Sequence, residues 1–375
     1  MVSRASGGLF LKKRFRVLLG FYVGTSSLEE SLCVEQCCTF RGSFSKLDVR
    51  YGTILWQTFM LPNNYGKLGG YAGAAIWGSS PSIDIPRKHV YIATGNLYSV
   101  PLNVSQCQAK ENNQTVPTHP DQRIEPDNHF DSILALDLVS GKIKWYHQLG
   151  GYDVWFLACN NLPTPNCPSG PNPDADFGEA PLMVSINSNN TKLDIVVAVQ
   201  KSGFASLHGL WTATMAASYG VQKLAGPGGL FGGGSWGSAT ENERVYTNII
   251  NSDGKNFTLK PSQATTTAGG WVAMNAHSGE ILWSTANPSN ATASGPVTVA
   301  NHVLFAGSTN PKGPIYALNA KTGDILWSYE TGATVFGGMS VSDGCVYVGN
   351  GYSLGLGSFS PSYTAGTSLY AFCLN

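Results

Sequence analysis

One pattern constrains this chain more than any other, and it occurs four times without a gap. Lys46-Leu47-Asp48 runs to Trp56, Ala135-Leu136-Asp137 to Trp145, Ala273-Met274-Asn275 to Trp283, and Ala317-Leu318-Asn319 to Trp327. Each copy has an apolar residue, Asp or Asn, three variable positions, Gly, one variable position, Ile, one variable position and Trp. An apolar stretch, a turn whose Gly supplies a positive φ and a second apolar-alternating stretch make a β-hairpin. The Asp or Asn caps the turn with its side chain, and the terminal Trp offers a broad face for the neighbouring copy.

The four Trp are spaced 89, 138 and 44 residues apart, and the last spacing is close to the period of a four-stranded propeller blade. Further strand pairs precede the hairpins: Trp77-Gly78-Ser79 then His89 to Thr94, Trp236-Gly237-Ser238 then Arg244 to Asn248, Gly295 to Val299 then Val303 to Gly307, and Gly337 to Ser342 then Cys345 to Gly349. The expectation is an all-β propeller of four-stranded blades, with about six repeats in an incomplete ring and Ser368 to Cys373 as the last strand. Two inserts rich in Pro, Asn and Gln, Ser99 to Asp127 and Cys159 to Asp176, read as surface loops. Helical periodicity is confined to a weak stretch from Leu210 to Tyr219. Residues 1–16 form an atypical segment, and residues 17–375 read as one repeat domain.

Composition agrees. The 44 Gly and 20 Pro make up about 17% of 375 residues, against roughly 12% in ordinary proteins. Charged residues are only 12%, with 23 basic balancing 23 acidic, which excludes the electrostatic footprint of a nucleic-acid or anionic-membrane binder. The apolar runs are too short for a membrane-spanning helix. Asn-x-Ser/Thr acceptors at Asn103, Asn113, Asn189, Asn256 and Asn290, with an even eight Cys, favour a secreted glycoprotein, although the N-terminal segment is not read as a signal peptide.

The hairpin signature resembles the tryptophan-docking motif of pyrroloquinoline quinone (PQQ) repeat proteins, whose dehydrogenases are eight-bladed propellers. Glu35 to Gly42, Ile76-Trp77-Gly78, Ala93-Thr94-Gly95-Asn96, Gly151-Tyr152-Asp153-Val154-Trp155, Asp174 to Gly178 and Gln200-Lys201-Ser202-Gly203 are similar to polyvinyl-alcohol dehydrogenase-like quinoproteins, especially plant ones. The likeness covers roughly Gly20 to Cys373. It implies oxidation of an alcohol, polymeric or secondary, with PQQ and calcium as cofactors and electrons passing to a separate acceptor. A hydride-accepting quinone needs a base for the hydroxyl proton, a Lewis acid and an apolar sandwich.

By that resemblance Asp153 is the catalytic base and a calcium neighbour, Asn96 the calcium-binding amide, and Trp77 the plate on which the quinone stacks. Trp77 could equally be a blade-core Trp, as Trp236 is expected to be at the equivalent repeat position. Lys201 polarises a quinone carbonyl, Cys37 and Cys38 form a vicinal disulfide against the cofactor plane, and Glu35 is the nearby candidate carboxylate for calcium. Cys159 and Cys167 flank a Pro-rich loop and suit a structural disulfide.

Two departures stand against this. Ser206 to Val221 lacks the docking turn and reads as out of pattern, and the blades expected before Gly20 are missing, which suggests an N-terminally truncated or mis-spliced product. The competing function is a non-catalytic propeller that only binds a partner. Gly233-Gly234-Ser235-Trp236-Gly237 fits a nucleophile elbow, but a strand and not a helix is expected after it. Asp176-Phe177-Gly178 imitates a kinase motif without its partners and reads as coincidence.

Overall fold

The computed structural model describes residues 20–78, 80–112, 126–149, 152–160, 172–188, 190–210, 216–229, 231–353, 357 and 360–374. The segment 1–16, Asn113, Asn189 and Cys167 lie outside them. Contacts divide the chain into two compact units, one made chiefly of residues up to Pro181 and the other chiefly of those from Leu182 onward.

Among the described residues the first unit holds three antiparallel sheets, one of them the short pair Ala72–Gly73 and Leu97–Ser99. Phe21–Gly24, Ser43–Leu47 and Ile54–Phe59 make a three-stranded sheet, and Ser82–Asp84, His89–Ala93, Ser132–Asp137 and Ile143–Gln148 a four-stranded one. Among the described residues the second unit holds five, one of them the short pair Phe257–Thr258 and Thr265–Thr266. Leu182–Ser188, Thr191–Val199, Phe204–Leu210 and Ala216–Leu224 form one sheet of four strands, and Ala239–Glu241, Arg244–Ile249, Gly270–Asn275 and Ile281–Ala286 a second. Thr298–Ala300, Val303–Gly307, Pro314–Asn319 and Ile325–Glu330 form the third, and Ser340–Ser342, Cys345–Gly349 and Leu369–Cys373 a three-stranded fourth. These are the meandering sheets expected of propeller blades.

All four signature hairpins share one register. Lys46, Ala135, Ala273 and Ala317 each pair with the motif Trp, and each pairing shifts by a bulge at the following residue. The bulge lets one strand spend an extra residue before the turn while both strands keep their apolar faces inward. At the turns, Asp137 Oδ1 accepts from the Val139 and Ser140 amides at 3.0 and 2.8 Å, and Asn275 Oδ1 from those of His277 and Ser278 at 2.7 and 3.1 Å. The capping Asp or Asn is therefore chosen by the turn, as the sequence suggests. Ser140 and Val139 also draw the Asp137 carboxyl down to about 2, against the opposing effect of its burial.

Docking follows from the turn glycine. Gly323 adopts φ +80 and its α-carbon lies against the Trp283 ring of the preceding hairpin, as Gly141 at φ +71 lies against Trp56. A Cβ at either position collides with the indole, so glycine serves both backbone conformation and packing. Hydroxyls reinforce the contact: Thr58 Oγ1 donates to Gly141 O at 2.7 Å and Thr285 Oγ1 to Gly323 O at 2.8 Å. Trp283 Nε1 donates to Ala320 O at 3.0 Å, inside a cluster with Tyr246, Trp271 and Tyr316.

Three expectations are corrected. Leu102–Asn112, inside the first insert, is an α-helix; it contains neither Gly nor Pro, and Pro101 stands just before it as the carbonyl acceptor for the Val104 and Ser105 amides. On either side of residues 211–215 the chain is regular sheet: Phe204–Leu210 and Ala216–Leu224 are strands of a four-stranded blade. The weak helical stretch from Leu210 to Tyr219 thus begins and ends in strands. Trp236 is half-buried with φ +73, edge-on to Phe336 at 5.7 Å, and is not a fully buried blade-core residue.

Candidate active site

The sequence-predicted residues of the first unit converge on loops between its sheets. Cys37 and Cys38 are joined as a vicinal disulfide across a cis peptide and are buried. They share one apolar cluster with Ala72, Ala75, Tyr98 and Phe156, against which Trp77 and Phe40 pack. Trp77 is half-buried, so one part of the indole belongs to this cluster while the rest remains accessible. An indole plate and a disulfide in one apolar cluster make surroundings suited to a flat heterocycle.

Polar groups border that cluster on one side. Trp77 Nε1 donates to Asp176 Oδ2 at 3.1 Å, and the Asn96 amide donates to Asp176 Oδ1 at 2.5 Å. Gly95 is where this carboxylate presses closest to the chain, leaving no room for a Cβ. The Asn96 Nδ2 group donates to Leu97 O at 3.0 Å and Trp155 O at 2.8 Å, which fixes the orientation of the side chain. Its Oδ1 is buried and has no hydrogen-bond partner among the described residues. A buried, oriented amide oxygen left unsatisfied suits a hard cation such as calcium.

Asp153 sits beneath this arrangement. Its Oδ1 accepts from the Asp174 amide at 3.1 Å and its Oδ2 from the Ala175 amide at 2.6 Å, while its carbonyl accepts from Leu97 N at 3.0 Å. These contacts tie the loop carrying Asp176 to the strand end carrying Asn96. Asp131 lies beside it, fully buried. Burial first, and then the charges of Asp153, Asp176 and Asp174, push its carboxyl far above the usual range. As a carboxylate Asp131 has no donor for either oxygen; as a carboxylic acid it hydrogen-bonds Asp153. Burial and the surrounding carboxylates therefore favour the protonated form of Asp131. Tyr98 is also fully buried, and burial with the nearby Glu30 carboxylate raises its phenol well above the ordinary value.

Sequence reasoning missed Asp176, set aside as an imitation of another motif, and Asp131. The spacing of two Asp around Ala175, bracketed by Pro173 and Gly178, was the available signal. Glu35 is exposed and does not join the buried residues; Glu29 instead holds this segment, its carboxylate accepting from the Thr39 and Phe40 amides at 2.6 and 2.8 Å. Among the described residues, no group of three or more His, Cys, Asp or Glu is arranged to hold a metal ion. Lys201 belongs to the second unit, buried just beyond Thr191–Val199, with its carbonyl accepting from Gly233 N at 2.8 Å. Cys159 is disulfide-bonded.

The blades and their docked Trp are those of a β-propeller. The chain has a TM-score of 0.61 to a europium-containing methanol dehydrogenase, at 15% identity, covering 95% of this chain and 72% of that one. It has the same score to the quinohemoprotein alcohol dehydrogenase from Comamonas testosteroni, at 18% identity, covering 95% and 58%. These likenesses establish the fold. A PQQ-repeat family model described as outer membrane protein assembly factor BamB matches residues 268–358. Two curated polyvinyl alcohol dehydrogenases are each 27% identical: one from Sphingopyxis sp. (strain 113P3) over 355 residues, covering 85% of this chain and 48% of the relative, the other from Pseudomonas sp over 223 residues, covering 57% and 30%. In sequence the chain is similar to polyvinyl alcohol dehydrogenases, and in fold to PQQ-dependent alcohol dehydrogenases. It spans less than half the length of those polyvinyl alcohol dehydrogenases.

Proposed function

We propose that this chain is a quinoprotein oxidoreductase that binds PQQ beside Trp77 and the Cys37–Cys38 disulfide and oxidises an alcohol, with electrons leaving to a separate acceptor. The observation that carries the reading is the convergence of a half-exposed indole plate, a vicinal disulfide and Asp176 around the unsatisfied Asn96 Oδ1. PQQ, when bound, supplies the acceptor for the hydride leaving the alcohol carbon. Asn96 Oδ1, joined by Asp176, would hold calcium, which would supply a Lewis acid. In this reading Asp176 takes the hydroxyl proton on a carboxylate oxygen, because it touches both Trp77 and Asn96. The Asp153 carboxylate, expected as the base, positions the Asp174–Asp176 loop through two amides. The likeness to polyvinyl alcohol dehydrogenases supports a secondary or polymeric alcohol as substrate. A secreted, glycosylated protein is supported by exposed acceptors at Asn103, Asn256 and Asn290 and by the Cys345–Cys373 disulfide between neighbouring strands.

The test is titration of the purified chain with PQQ and calcium, read by Trp fluorescence, together with alcohol-dependent dye reduction. Asp176→Asn keeps an oxygen for the Asn96 amide but sets an NH2 against Trp77 Nε1, so its fold is checked by circular dichroism. The expectation is quinone binding within a few-fold of the parent and a rate loss on the order of 10²–10⁴-fold, the range for a removed general base. Full activity in Asp176→Asn overturns the assignment of the base. Absence of any quinone binding by the parent overturns the enzyme reading in favour of a binding scaffold.

A further inference from the structure

Three cysteines meet at one turn. Cys33 is exposed and carries a free thiol, whereas Cys37 and Cys38 are joined and buried. Between them the backbone makes a single helical-type turn, in which the Cys37 and Gln36 amides donate to Cys33 O at 3.1 and 3.0 Å. Residues four apart across such a turn hold their β-carbons roughly 5–6 Å apart, and a small movement brings them into the roughly 3.5–4.5 Å range of a disulfide.

The two sides of the bond differ in freedom. Beyond Cys38 the chain is clamped, with the Thr39 amide and hydroxyl and the Phe40 amide all donating to the Glu29 carboxylate at 2.6–3.0 Å. Before Cys37, Leu32 and Cys33 lie exposed on the surface. The exposed partner is thus the free thiol, and the buried, anchored partner is the disulfide.

We propose that Cys33 is a resident exchange nucleophile that opens the vicinal disulfide. Its thiolate attacks Cys37 Sγ, the Cys33–Cys37 bond forms as the Cys37–Cys38 bond breaks, and the electron pair leaves on Cys38 Sγ. The proton lost from Cys33 ends on Cys38. One disulfide replaces another, so no outside oxidant or reductant enters. Exchange carries a free thiol from the surface into the apolar cluster around Trp77. The exchange itself does not depend on the quinone reading; only its effect on cofactor binding rests on that reading.

The test uses the full chain at pH 8 without reductant, sampled over a day, acid-quenched, alkylated and mapped by mass spectrometry after cleavage at glutamate. Glu35 lies between Cys33 and Cys37, so the two isomers give different linked peptides. The expected result is a Cys33–Cys37 population that appears over minutes to hours, with alkylation shifting from Cys33 to Cys38 and a yield independent of protein concentration. Cys33→Ser, an exposed change checked by circular dichroism, abolishes alkylation of Cys38. An intact Cys37–Cys38 bond with Cys33 fully alkylated throughout overturns the proposal. A yield that rises with protein concentration also overturns it, because the attack is then intermolecular.

Discussion

The same signature position should be worth very different amounts in two copies of the repeat. Trp283 is 2% exposed, lies on Gly323 and donates to Ala320 O, whereas Trp327 is 41% exposed and meets mainly Tyr329 and Phe372, at 6.1 and 5.1 Å. Truncating a buried Trp to Ala costs about 3–5 kcal/mol. Ala320 O also accepts from Arg244 Nη1 at 3.0 Å, so losing the indole N–H does not strand a buried carbonyl, and the cost of Trp283→Ala should stay near about 4 kcal/mol. Trp327→Ala removes an indole that is already two-fifths in water and should cost about 2 kcal/mol. Urea unfolding followed by far-ultraviolet circular dichroism measures both, provided the denaturant slope is unchanged. If Trp283→Ala does not fold, Trp283→Phe carries the comparison, at about 1.5–2 kcal/mol for the bond and lost area. Equal costs for the two truncations, or a larger one at Trp327, refute the claim that docking onto the next turn glycine is what makes this Trp stabilising.

Gly323→Ala and Gly344→Ala separate the two demands on a turn glycine. Both have positive φ, +80 and +74, but a Cβ at Gly344 meets open space while one at Gly323 meets the Trp283 ring. The same unfolding measurement should find about 1 kcal/mol at Gly344 and at least about 2 kcal/mol more at Gly323. His129 gives a pH-dependent prediction, since burial pushes its imidazole from 6.5 down to about 4 against the opposing charge of Asp127. The unfolded chain takes up this proton first on acidification, so the contribution is intact above about pH 6.5 and is lost as pH falls toward 4. It amounts to about 3 kcal/mol. Comparing urea midpoints at pH 7 and pH 5 in the parent and His129→Asn tests this, and an equal acid loss in both proteins refutes it.

What could be read from sequence was what the backbone demands locally. The capping Asp137 and Asn275, the left-handed Gly141 and Gly323, and the paired Ala and Trp are each the residue type their position requires, so the hairpins were legible down to their ends. The blade containing Phe204–Leu210 and Ala216–Leu224 was not, because its sequence carries no copy of the hairpin signature and only strand pairing identifies it. Asn96 and Trp77 were legible as candidates by resemblance. The role of Asp176 was not, because it depends on contacts to residues 80 and 99 positions away along the chain. The Cys345–Cys373 bridge was likewise hidden, since it depends on these two residues standing opposite each other in adjacent strands.

The repeat and the candidate site also obey different rules. Trp77 and Trp236 occupy matching repeat positions, yet one donates to Asp176 beside a vicinal disulfide and the other stands edge-on to Phe336 with a strained backbone. Every residue gathered around Asn96 comes from outside the signature hairpins: the turn at Cys37, the loop at Trp77, the strand end at Asn96, and the segments around Asp153 and Asp176. Hairpins spend their side chains on turn caps and on the next blade, which leaves none to face a ligand. Connecting segments are free of that duty and are held by hydrogen bonds to one another, such as those from the Asp174 and Ala175 amides to Asp153. A rigid repeated frame that carries variable loops lets chemistry change without cost to the fold. For this chain it follows that substitutions in the docking hairpins alter unfolding far more than ligand binding, and substitutions at Trp77, Asn96 or Asp176 the reverse.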